Sequence, residues 1–160
     1  MMIDTELILK ETQTLVKSKL NPELLLINAE KNDFTIDPIN SNAWIFQNLS
    51  EEIFSYNPFV VWGLSQQPEN TDATESNSVK TCGIFFEVVV TDDGGPVREN
   101  VFYKLLRYTR ALESVIQKNP NKILSGINFN VANLQPTSFQ IDGSLFRSAG
   151  INILATYSAR

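Results

Sequence analysis

Hydrophobic residues from Val101 onward fall at Val101, Leu105, Tyr108, Leu112 and Val115, an i, i+4, i+7, i+11, i+14 series that winds into one stripe on a helix. Thr91-Asp92-Asp93-Gly94-Gly95-Pro96 reads as a hinge into it, Pro96 suiting the first turn, and Asn119-Pro120 ends it after Lys118. Before the hinge the period changes to two. From Lys80 to Thr91, Cys82, Ile84, Phe86, Val88 and Val90 share one face of a strand, while Thr81, Gly83, Phe85, Glu87 and Thr91 share the other. The first set belongs on a core, the second at water or against a neighbouring subunit. Phe59-Val60-Val61-Trp62-Gly63-Leu64 is a second strand by its β-branched and aromatic content. Residues 66–78 between the two are polar, which predicts a long hairpin with a flexible tip.

The flanks follow the same logic. Asp4 suits an N-cap for a helix carrying Ile8, Leu15, Val16 and Leu20, and Asn21-Pro22 is expected to stop it. The run Glu23-Leu24-Leu25-Leu26-Ile27 is short enough to be a helix turn or a buried strand, and periodicity does not decide. Residues 28–57 read as a loop-rich excursion with one short strand or helix, its aromatics docking on the core or forming a contact patch. After the long helix, strand patterns appear at Ile123–Val131, at Phe139-Gln140-Ile141 and at Ile151–Tyr157, with a turn at Asn133–Ser138 and a hairpin-type turn or bulge at Asp142-Gly143. The expectation is a single α+β domain over residues 1–160. It has a mostly antiparallel sheet with a long hairpin, one long helix packed on a face, and an N-terminal helix.

Composition narrows the chemistry. A chain of 160 residues can bury a sizeable core without staples, and its single cysteine excludes an intramolecular disulfide. The chain has no histidine, which removes the commonest general base and every His-containing metal site. No apolar run is long enough for a transmembrane helix, and the N-terminus has no signal-peptide pattern, so no membrane partner is expected. Charge is uneven. Residues 1–96 carry 5 Lys+Arg against 15 Asp+Glu, residues 97–160 carry 8 against 3. Two readings stand: mutual neutralisation inside one fold, or opposite patches that meet head to tail between copies. The acidic balance argues against a dedicated nucleic-acid binder.

Candidate reactive groups have plain structural explanations. Asp92-Asp93 before a glycine pair offers carboxylates for a divalent cation, but the same residues serve a strand-to-helix turn, and no Walker lysine follows. Cys82 lies on the apolar strand face with no histidine to activate it. No cofactor and no catalytic residue is implied. The helix cations Lys104, Arg107 and Arg110 border the apolar stripe, either as a solvated face or as a basic rim for a neighbour's acidic half.

From Pro58 onward the chain resembles the tail terminator (tail completion) proteins of long-tailed bacteriophages. The resemblance is carried by PFVVWGLSQ, a variable tip, GIFFEVVVTD, the helix VRENVFYKLLRYTRALESVIQKN and the segment SFQIDGSLFRSAGINILATYSA. It implies a non-enzymatic structural virion protein of the neck, assembled in the host cytoplasm. Such a protein forms a homo-oligomeric ring, commonly a hexamer, that caps the tail tube and joins it to the head connector or stopper protein; DNA passes the lumen without specific binding. On that basis the subunit interface is expected at Phe85, Glu87 and Val89 with Lys104, Arg107 and Arg110, with Glu51, Glu52 and Glu87 on the acidic side, and reversal at Arg107 is expected to leave a folded monomer. Alternatives are another neck or tail component, or a small cytosolic adaptor docking through Trp44–Phe54.

Overall fold

The computed structural model describes residues 3–47, 55–72, 78–92, 99–119 and 127–159. Helix α1 runs Thr5–Glu30, strands β1 Trp44–Phe46, β2 Phe59–Asp72 and β3 Ser78–Asp92 follow, then helix α2 Glu99–Lys118 and strands β4 Asn128–Asn133, β5 Thr137–Ile141 and β6 Ser144–Ala159. The class is α+β, with a mostly antiparallel six-stranded sheet and two helices. Strand order is β1-β2-β3-β6-β4, β5 also pairs with β6, and among the described residues only the β1–β2 pairing is parallel.

The centre of the sheet is the β3–β6 pair, in register from Ser78↔Ala159 to Asp92↔Leu145. Cys82, Ile84, Phe86 and Val88 face Ala155, Ile153, Ile151 and Ala149 across it, and all are buried. Helix α2 lies on this face, with Leu105, Tyr108, Leu112 and Val115 buried as the stripe required. Each such side chain contributes about 1.5–3 kcal/mol by leaving water. β4 and β5 both run against β6, separated by residues 134–136. The Asp142-Gly143 turn joins β5 to β6 with both residues at positive φ, 49° and 81°, the geometry of a two-residue type I′ turn.

Three expectations are corrected. Helix α1 does not stop at Pro22 but continues to Glu30. Proline forfeits one helical N–H, and burial of Leu20, Leu24 and Ile27 on one stripe outweighs that loss. The strands also run further than the hydrophobic pattern marks: β2 reaches Asp72 and β3 begins at Ser78, with register shifts after Leu64, Gln66 and Asn70. Pro68 sits among these irregularities, where a missing donor is tolerated. Finally, the second face of β3 is not wholly solvated. Val89 is buried between Phe59 and Ser148 on the neighbouring strands. Phe59 meets Phe146 edge-on at 6.3 Å, and Phe146 stacks on Phe139 at 5.5 Å.

The first part of the excursion, residues 31–43, is a strap bound to both helices by side chains. Asn21 and Asn28 stand two turns apart on α1. Each receives a backbone N–H on its Oδ1 and returns its Nδ2–H to the carbonyl of the same residue: Asn21 with Ile39 at 2.8 and 2.9 Å, Asn28 with Ile36 at 2.8 and 3.0 Å. The amides thus imitate a strand neighbour, satisfying backbone that would otherwise be buried unpaired. Ile36, Ile39 and Ala43 fill the space beneath.

Candidate interaction surface

The charge asymmetry closes on itself. Four ion pairs join the basic half to the acidic half: Arg107–Asp33 at 2.7 Å, Arg110–Glu30 at 2.8 Å, Lys118–Glu23 at 2.9 Å and Arg147–Asp92 at 2.6 Å. Three tie α2 to α1 or to the strap, and the fourth ties β6 to β3. Mutual neutralisation is therefore the reading that accounts for these cations.

Arg107 is the most committed. It is 8% exposed, donates to both carboxylate oxygens of Asp33 and to the Phe34 carbonyl, and places its guanidinium 3.9 Å from the Phe34 ring centre. Next to it Tyr108 donates to the Asp37 carbonyl at 2.7 Å, and burial pushes its phenol well above the ordinary value. Arg107 holds the Asp33 carboxyl below its ordinary value, and Arg110 does the same for Glu30. The expectation of Arg107 at a subunit interface meets a side chain that is buried and engaged with Asp33 and Phe34 of its own chain. Arg110 keeps half of its side chain in water while pairing with Glu30. Lys104 has no ion pair among the described residues.

The other expected residues are scattered. Val89 is buried and Phe85 is half-buried against the core, so Val89 offers nothing to a neighbour. Glu87 is half-buried and accepts from the Ser148 hydroxyl, which also meets the Thr137 hydroxyl at 2.6 Å. Glu51, Glu52 and Asp93 lie outside the described residues. Asp92, 5% exposed, is neutralised by Arg147 instead of facing a cation site, and the described residues contain no group of three metal-ligating side chains. Cys82 is fully buried, and burial raises its thiol, which suits a small apolar side chain. Trp44 and Ile45 pack on the core as strand β1, and Phe46 rests edge-on against Trp62 at 4.9 Å with about half of its surface in water.

Among the described residues the exposed large apolar side chains are Leu25 and Leu26 on α1, Phe46 at the end of β1, and a group of three on the outer side of α2's first half. Phe102, Tyr103 and Leu106 are 47%, 48% and 46% exposed and form a ridge, Phe102 and Leu106 one turn apart. Two clefts flank it. One, about 310 Å³, is walled by Lys31, Asp33, Tyr103, Leu106, Arg107 and Arg110. The other, about 160 Å³, lies between Phe102 and Leu105 and the residues Pro136, Thr137, Ser138 and Arg147. Each cleft holds an arginine fixed by a carboxylate. The helical pattern marks only the buried stripe of α2. In the sequence the ridge shows as three large apolar side chains off that stripe.

No protein-family model matches the chain, and no curated protein matches it in sequence.

Proposed function

We propose that the protein is a non-enzymatic structural subunit that assembles with copies of itself into a ring, in the role of a phage tail terminator. The ring caps the tail tube and presents a face to the head connector in the virion neck; the hexamer is the stoichiometry the resemblance implies. The observation that carries the reading is the exposed ridge Phe102–Tyr103–Leu106. Three large apolar side chains on one helix face, each nearly half in water, favour burial against a partner. The β2–β3 pair, read as a long hairpin, supplies an arm that reaches beyond the short flanking strand β1. Assembly through the ridge does not need Arg107, Arg110 or Lys118, which pair with acids of α1 and the strap.

The test is the mass of the purified chain by light scattering, with negative-stain images of the same sample. The wild type is expected to form a closed annulus. Leu106→Glu, at an exposed position, is expected to give a monomer with unchanged circular dichroism. A wild type that stays monomeric at high concentration, or a Leu106→Glu variant that assembles as well as the wild type, overturns the reading. Arg107→Glu is not a usable probe, because its side chain is part of the monomer's interior.

A further inference from the structure

We infer that the cleft beside Phe102 is a carboxylate receptor, with Arg147 as its binding group, and that its occupant is an Asp or Glu side chain of a second copy of this chain; the inference rests on the ring reading above. Arg147 is built for this. Its Nε donates to Asp92 Oδ2 at 2.6 Å, and that carboxylate is 1% exposed, so the guanidinium plane is fixed from below. The arginine side chain itself is 39% exposed, and its two terminal amino groups have no hydrogen-bond partner among the described residues. A guanidinium held by Nε has its remaining fork preset for a bidentate carboxylate, with the loss of side-chain freedom already incurred on folding. The walls suit the same ligand. Ser138 pairs with Arg147 across β5–β6 and lines the cleft with Thr137, while Phe102 and Leu105 supply an apolar side for the methylenes of an acidic residue.

Charge complementarity names the occupant. The chain carries 18 Asp+Glu against 13 Lys+Arg, a net charge of −5. Each copy therefore holds more carboxylates than cations to receive them. Phe102 belongs both to this cleft and to the ridge, so seating a neighbour's carboxylate and covering the ridge form one contact. The contact joins unlike surfaces, as a closing ring requires.

The experiment measures self-association by sedimentation velocity over a range of protein and salt concentrations, for the wild type, Ser138→Asp and Arg147→Lys. Ser138→Asp supplies the carboxylate from within the chain, directly across from Arg147, at a position where the native side chain is exposed. Arg147→Lys keeps a charge for Asp92 but loses the fork. Each folded variant is expected to weaken association about tenfold or more. Each is also expected to flatten its salt dependence, with thermal unfolding of Ser138→Asp at or above the wild-type midpoint. If the wild type assembles and a folded Ser138→Asp assembles equally well, the receptor is overturned and the ring stands. If the wild type never assembles, the ring reading itself fails. A wild type that stays monomeric while its Arg147 Nε–H resonance shifts saturably with sodium glutamate, and not with sodium chloride, would overturn the second-copy assignment in favour of a carboxylate from elsewhere.

Discussion

Thr12 has a hydroxyl that is fully buried on α1 without a hydrogen-bond partner among the described residues. An unpaired buried hydroxyl costs about 1–3 kcal/mol, so Thr12→Val, which keeps the shape and removes the polar atom, is expected to stabilise the fold by about 1 kcal/mol in urea titrations. A loss of stability would mean that the hydroxyl has a partner. The residue scale is also where sequence reading fell short. A lone arginine at the border of an apolar stripe reads as a surface cation. Arg107 is interior because Asp33 and the Phe34 carbonyl, some seventy positions earlier in the chain, meet it there. Nothing local to the helix encodes that meeting. Asn21 and Asn28 are similar: their seven-residue spacing is legible, but its use requires knowing that the strap passes alongside.

Elements were more legible where one period held without interruption. The buried face of β3, the apolar stripe of α2, the end of α2 at Lys118 and the Asp142-Gly143 turn follow from alternation, helical spacing and turn chemistry. The end of α1 did not, because a local rule about proline met a tertiary surface that favours continuation. Strand–strand approach adds a constraint that no single-strand pattern shows. A Cβ on Gly150 would lie 1.9 Å from the Phe86 carbonyl oxygen, so β3 and β6 cannot keep their register with any side chain there. Gly150→Ala is expected to cost about 3 kcal/mol or more, or to prevent folding; a thermal midpoint within a degree or two of the wild type would show that the strands have room to part.

At the scale of the whole molecule, the ion pairs between halves link stability to acidity. Arg107 and Arg110 lower Asp33 and Glu30 from ordinary values of 3.8 and 4.5. Carboxyls depressed in the folded state contribute stability above those ordinary values and lose it as pH falls through the lower folded ones. Thermal stability is therefore expected to be level between about pH 7 and 5 and to decline below about pH 4. The double variant Asp33→Asn, Glu30→Gln should show a shallower decline; a decline as steep as the wild type's would place the acid sensitivity elsewhere.

Pro22 has a further chemical consequence. Asparagine side chains in proteins hydrolyse mainly when the amide nitrogen of the next residue attacks the side-chain carbonyl to close a cyclic imide. At Asn21 that nitrogen belongs to Pro22 and has no proton to give up, so the imide route is closed. The clamp on Ile39 is thereby shielded from ageing by the residue that interrupts the helix's hydrogen bonding. Of the two clamp asparagines, Asn28 is followed by Ala29 and keeps that route open in sequence, its side-chain amide being held by Ile36.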